Sequence, residues 1–191
     1  GVGVAVVPED GSFQPSVPDI ADKVGSYTKA IILNSPNNPS GVMYSRDFVA
    51  EIVAFCEKKS LWLVMDDLYN RLVFDGQKAP NPFDFAKATG EASKLVVVQG
   101  VSKMYAMTGF RIGWALGNRE VVEAMTNIQG HQASGPVTVS QWAAIGALAA
   151  PAALAAPAFA GSTTLAAASA GATAQAVPPT TASDAAMSAS K

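Results

Sequence analysis

Two cations, Lys103 and Arg111, stand eight residues apart in the stretch VSKMYAMTGFRIGWA and are its only charges. Lys103 follows the apolar run LVVVQG and precedes Met104, Tyr105, Met107 and Phe110, a setting that predicts a side chain withheld from open water. A buried lysine costs several kcal/mol unless it is paired or neutral, so a sequence rarely keeps one for stability alone. A chemical task for the amine follows. Three positions share the pattern of an uncommon polar residue at the end of a β-type run: Asn38 after KAIILNSP, Asp66 closing LWLVM, and Lys103 itself just after KLVVVQG.

This set of groups matches the needs of a cofactor that carries an aldehyde, a ring nitrogen, a phenolic oxygen and a phosphate. Such a molecule needs a lysine to form a Schiff base, a carboxylate to keep the ring nitrogen protonated, hydrogen-bond donors for the phenolic oxygen and a cation for the phosphate. Lys103, Asp66, the pair Asn38 and Tyr69, and Arg111 supply one candidate for each.

The elements that must position these residues alternate. VGVAVV and KAIILN read as strands, SRDFVAEIVAFCEKK as an amphipathic helix capped by Ser45, LWLVMDD, KLVVVQG and RIGWALG as further strands, and a helix opens near Asn118 with REVVEAM. The alternation predicts an α/β fold with a mostly parallel sheet flanked by helices. Several runs are apolar throughout, as strands covered on both faces should be. In such a sheet, function collects at strand ends and the loops that follow them.

Composition narrows the class further. A chain of 191 residues, 49% hydrophobic and with a formal net charge of -2, fits a soluble globular protein, and its scattered Lys and Arg offer no run for a nucleic-acid backbone. The single cysteine, Cys56, excludes an intrachain disulfide and fits a reducing cytoplasm; it falls near the apolar stripe of its helix and reads as a core thiol. His131, the only histidine, has no Ser, Cys or metal-ligand partner at a recognisable spacing and reads as a loop or helix-end residue. The N-terminal GVGVAVVPEDG has neither a basic segment nor an apolar core long enough for a signal peptide. Residues 142–161 are uncharged over a length that could span a bilayer, but alanine is weakly apolar and Pro151 and Pro157 interrupt the segment. Beyond about residue 146 the composition turns to Ala, Ser, Thr and Pro, with roughly 17 alanines in the 41 residues from 151 onward. Residues 147–191 therefore read as a low-complexity, disordered tail, and 1–146 as the folded part.

NSPNNPSG, DDLY and SKMYAMTGFRIG, in that order and at these separations, resemble the signature of the class I/II aminotransferases, the fold-type I enzymes that use pyridoxal 5'-phosphate. The resemblance runs to about SQWAAIGAL and makes 1–146 the C-terminal portion of a cofactor-binding large domain. It implies that Lys103 holds the cofactor as a Schiff base and, once displaced by substrate, acts as general base. Asp66 would pair with the ring nitrogen, Tyr69 and Asn38 would hydrogen-bond the phenolic oxygen, and Arg111 would bind the phosphate. It also implies a cis peptide before Pro39, amino-acid substrates of aspartate or aromatic type, 2-oxo-acid partners and a homodimeric parent. Two positions depart from the family's pattern: Asp67 stands where Glu is usual, and Gly100 stands where many relatives have a hydroxyl residue.

By the same resemblance, the Gly-rich phosphate turn and the ring-stacking aromatic belong before the chain's first residue. The small domain with its carboxylate-binding arginine belongs where the Ala-rich sequence stands. The expectation is an incomplete and inactive fragment whose C-terminal sequence is frameshifted or artefactual. The alternatives are an aminotransferase-like ligand-sensing module of a regulator and a β-elimination lyase on the same scaffold.

Overall fold

The computed structural model describes residues 13–149. The expected strand VGVAVV and nearly all of the Ala-rich segment lie outside them. Four strands form one sheet in the order β1 (Ala30–Asn34), β2 (Trp62–Asp66), β3 (Leu95–Gly100) and β4 (Gly113–Gly117). The first three run parallel, and β4 returns antiparallel beside β3. This is the mostly parallel sheet expected from the alternation of elements, and its helices follow the same logic.

Helix α1 (Val17–Lys23) begins at Ser16, whose side chain accepts a hydrogen bond from the Asp19 N–H, with Pro18 at the start of the helix. The run SVPDIADK carried this signal of cap plus N-terminal proline. Helix α2 (Arg46–Lys59) is capped by Ser45, whose hydroxyl accepts from the Phe48 N–H at 3.1 Å. It ends at Ser60, where the backbone turns left-handed at φ 53° and the N–H reaches back to the Cys56 and Glu57 carbonyls.

The apolar stripe of α2 comprises Phe48, Val49, Ile52, Val53 and Cys56, all buried. These residues recur at the spacing of one helix face. They join Leu33, Leu63, Met65, Leu95 and Val97 of the sheet and Val17 and Ile20 of α1 in one core. Ile52 has no exposed surface, and full burial of such a side chain contributes roughly 1.5–3 kcal/mol. The opposite face of the sheet is less covered: Ile32 of β1 is 73% exposed, so the expectation of two covered faces fails at that strand among the described residues.

After β3 come two short elements, α3 (Val101–Met104) and a 3-10 turn at Thr108–Phe110, then β4. Helix α4 (Arg119–Ala133) opens at Asn118, whose side chain accepts from the Val121 N–H, and carries the exposed His131 in its last turn. Helix α5 (Thr138–Ala149) passes the boundary that composition suggested at residue 146. Alanine and leucine are strong helix formers, and nothing breaks the helix before Pro151. Neither helix is well covered. No residue of α4 is buried, and Val139, Trp142, Ile145 and Leu148 of α5 are exposed. No helix among the described residues is long and apolar enough to cross a membrane.

Cys56 sits inside the core, and burial pushes its thiol up to about 12. The folded state therefore holds the proton more tightly than the unfolded chain. This contribution to stability is complete below the ordinary thiol range and is lost as pH rises from about 9 towards about 12. At neutral pH Cys56 should react with a thiol reagent at least tenfold more slowly in the native chain than in denaturant. Because it is the only cysteine, a colorimetric thiol titration reads it directly; equal rates would place the thiol at the surface.

Candidate active site

The parallel register sets Asn34 beside Asp66 at the ends of β1 and β2. Strand β3 continues two residues beyond the row of Asp66 and Val98, to Gly100. The loops that leave these ends carry Asn38, Tyr69 and Lys103. Asn38 donates from Nδ2 to the Tyr69 hydroxyl at 3.2 Å. The Lys103 Nζ lies 5.7 Å from the centre of the Tyr69 ring. Lys103 is half-buried, as its apolar setting predicted.

Asp66 is half-buried at the strand end, and one of its carboxylate oxygens accepts from the Leu68 N–H at 3.3 Å. Its backbone carbonyl accepts from the Ser35 N–H at 3.3 Å and from the Asn34 side chain at 3.1 Å. The peptides before Pro36 and Pro39 are both cis.

Arg111 lies on the same loop as Lys103. The loop is closed at its base by a hydrogen bond from the Val101 N–H to the Ile112 carbonyl at 3.2 Å and by the pairing of Gly100 with Gly113. Arg111 is exposed, holds a left-handed backbone at φ 54°, and donates from Nη1 to the Thr108 carbonyl at 2.8 Å. The structure thus links Asn38, Tyr69 and Lys103 by contact, ties Asp66 to Asn38 through Asn34, and gives Arg111 no contact with the other four.

Three features were not read from the sequence. Asn34 was not singled out in the sequence. Its Oδ1 accepts from the Asn38 N–H at 2.8 Å while its Nδ2 reaches the Asp66 carbonyl. Asp67 is more than a strand-end carboxylate. It is buried behind the sheet, where Gln99 and Asn70 both donate to its Oδ2 at 2.7 Å, and Trp114 donates to Gln99 at 3.3 Å. Burial raises its carboxyl above the ordinary range; the two hydrogen bonds oppose that rise and the neighbouring Asp66 adds to it. Gly100 also has a steric reason. A Cβ there would lie 2.8 Å from the Ile112 carbonyl oxygen and 3.0 Å from Leu68, so the β3–β4 contact leaves no room for a hydroxyl residue.

Chemically, the assembly offers an amine beside a phenol, an amide donor on the phenol, a carboxylate with free acceptor capacity and an exposed guanidinium. Among the described residues no cluster of His, Cys, Asp and Glu could hold a metal ion.

The family model for aminotransferases of class I and II matches residues 1–168. The chain belongs to that family. Aspartate aminotransferase of Bacillus subtilis is 34% identical over 143 residues, covering 75% of this chain and 36% of the relative. Aspartate/prephenate aminotransferase of Thermus thermophilus is 33% identical over 147 residues, covering 77% of this chain and 36% of the relative. Among solved structures, the Thermus thermophilus aspartate aminotransferase with maleate aligns at TM-score 0.68 and 31% identity, over 75% of this chain and 36% of that one. The Thermotoga maritima aspartate aminotransferase aligns at TM-score 0.68 and 33% identity, over 75% and 37%. The chain therefore spans little more than a third of the length of these relatives and carries their aminotransferase fold over that part.

In this aminotransferase chain the tight β3–β4 contact can be tested at its narrowest point. Gly100→Ser should destabilise the fold by about 1–3 kcal/mol, the range for overpacking a filled site, because backbone rather than a flexible side chain must move. Denaturant unfolding of the two proteins measures it; a change within error would mean that the strands separate freely there.

Proposed function

We propose that this chain is the part of a pyridoxal 5'-phosphate-dependent aminotransferase that grips the cofactor, with Lys103 as its covalent attachment point. The observation that carries this reading is the linked set at the strand ends: Asn38 on the Tyr69 hydroxyl, Tyr69 beneath the Lys103 amine, and Asp66 tied to Asn38 through Asn34.

The donor chemistry fits the cofactor. The Tyr69 oxygen already accepts from Asn38, so the phenol proton is available to a second acceptor, as a phenolic oxygen would require. The Asp66 carboxylate takes one long hydrogen bond from protein, which leaves it able to accept from a protonated ring nitrogen. The Arg111 guanidinium spends one donor on the Thr108 carbonyl, and the remaining donors suit a phosphate.

When bound, pyridoxal 5'-phosphate supplies the aldehyde and the ring that accepts electrons during amino-group transfer. Asp66 holds the proton on the ring nitrogen and so favours that acceptance. Asn38 and Tyr69 orient the ring through its phenolic oxygen. Lys103, with its amine free, would act as general base on the α-proton of the bound amino acid. Arg111 fixes the phosphate. The reaction assigned to the full-length enzyme is exchange of an amino group between an L-amino acid, of aspartate or aromatic type, and a 2-oxo acid. We assign residues 150–191, beyond α5, no part in it. The exposed apolar row on α5 supports a parent in which further chain or a second subunit of a homodimer covers that helix.

In a full-length enzyme carrying this sequence, Lys103→Ala should abolish transamination, a loss of at least a thousandfold, with the fold retained by circular dichroism. Normal turnover by that variant would remove Lys103 from the mechanism.

The 191 residues alone should not transaminate aspartate with 2-oxoglutarate and should self-associate through the exposed face of α5 and the Ile32 side of the sheet. A coupled activity assay beside size-exclusion chromatography decides this. A monodisperse monomer with steady turnover would mean that the chain completes its own substrate site.

A further inference from the structure

Three places in the molecule invite a role beyond the residues already assigned: the cavity of about 180 Å³ behind the sheet at Asp67, the exposed apolar row of α5, and the side chain of Asn34. The cavity is lined by one carboxylate and the buried, unpartnered Oδ1 of Asn70, a combination that would suit an ordered water and names no other ligand. The α5 row lacks any observation naming a distinct occupant. Asn34 is different, because its contacts fall on two of the residues that matter.

We infer that Asn34 is a positioning residue whose Oδ1 locks the Asn38 backbone and thereby aims the Asn38 amide at Tyr69. The role of Asn38 towards the cofactor rests on the function proposed above, whereas the locking of Asn38 does not.

The geometry is specific. Asn34 ends β1 directly beside Asp66 and is half-buried there. Its amide uses both of its ends: Nδ2 donates to the Asp66 carbonyl at 3.1 Å, and Oδ1 accepts from the Asn38 N–H at 2.8 Å. The Asn37 side chain also approaches Oδ1, at 3.4 Å.

Elsewhere the loop is bound to itself, to the end of β2 through the Ser35 N–H on the Asp66 carbonyl at 3.3 Å, and to Gln14, whose Nε2 donates to the Met43 carbonyl at 3.2 Å. The Asn37 N–H donates to the Val42 carbonyl at 2.8 Å, the Gly41 N–H to the Asn37 carbonyl at 2.8 Å, and Ser35 Oγ accepts from the Tyr44 N–H at 2.9 Å. None of these bonds touches Asn38. Its own contacts are the Asn34 oxygen on its backbone and the Tyr69 hydroxyl on its side chain. Asn38 is exposed, so packing does not hold it. Remove the Asn34 oxygen and the Asn38 amide keeps only a single long side-chain bond to fix its direction. An aspartate at 34 would still present an oxygen to the Asn38 N–H while losing the donor to Asp66, so the two arms separate chemically.

The first test needs no cofactor. In the 191-residue chain, exchange of the Asn38 backbone amide and the nuclear Overhauser contact between the Asn38 side-chain amide and the Tyr69 ring are compared across variants. Asn34→Ala should speed the exchange about tenfold, the factor expected for losing one neutral hydrogen bond, and should lose the contact. Asn34→Asp should keep both. An unchanged contact in Asn34→Ala, or its loss in Asn34→Asp as well, overturns the inference. Should Asn34→Ala not fold, retention of both signals in Asn34→Asp supports the oxygen arm and their loss overturns it.

The second test adds pyridoxal 5'-phosphate, reduces with borohydride and quantifies the label at Lys103 by peptide mass. Asn34→Ala and Asn38→Ala should each raise the concentration for half-labelling about tenfold. The double variant should be no worse than Asn38→Ala alone, because Asn34 acts through Asn38. Additive losses, the mark of general destabilisation, overturn the inference. Absence of label at Lys103 in the unsubstituted chain counts against the proposed function instead, and the cofactor-free measurements still decide the role of Asn34.

Discussion

The site depends above all on the parallel hydrogen-bond register of β1, β2 and β3. Register places Asn34 beside Asp66 and Asp66 beside Val98, so that the three parallel strands leave the sheet along the same edge. A slip of one residue would carry every side chain to the opposite face and separate Asn34 from Asp66. What fixes the register is apolar: Leu33, Leu63, Met65, Leu95 and Val97 all point to the α1–α2 side and lock into the buried stripe of α2. The polar residues of the site contribute little to that core. They are placed by it.

Adjacent residues at the end of β2 face opposite environments. Asp66 stands on the site side with acceptor capacity to spare, and Asp67 is buried behind the sheet among Gln99, Asn70 and Trp114. Alternation along a strand separates their tasks without separating them in sequence. The rear cluster crosses β2, β3 and β4, and the Asp67 N–H also donates to the Val98 carbonyl at 2.9 Å. A buried carboxylate with two donors is costly to leave half-satisfied, so the cluster resists any independent shift of the strand ends.

Much of this was legible in the sequence because the signals were local. Ser45 three residues before Phe48, the stripe of α2, the apolar runs of β2 and β3, and Asn118 ahead of α4 each state their element within a few residues. The motif residues stood out because three of them sit at or just after strand ends and because their motifs resemble those of a known family. Helix α1 had a legible cap and proline that went unused, and α5 was obscured by an Ala-rich composition that resembles filler yet favours helix. Gln99, the crowding at Gly100 and the bond from Asn34 to the end of β2 were not legible, because each depends on a partner about 12 to 32 positions away in the chain; the nearer bond from Asn38 to Asn34 depends on the path of the loop between them. The same holds for Ile32, whose exposure is decided by what covers the sheet rather than by its own run.

The loop from Val101 to Ile112 begins and ends at one point on the sheet, pinned by Gly100 against Gly113 and by the hydrogen bond that closes its base. Lys103 and Arg111 therefore share a single anchor and behave as two prongs of one inserted module. A shift of the β3–β4 hairpin carries both together, so their separation is insulated from motion elsewhere in the sheet. Changes of loop length are absorbed between the prongs only at the expense of their spacing. An inserted or deleted residue between the prongs would alter the span between the two cations, whereas a side-chain substitution there would leave that span as it is.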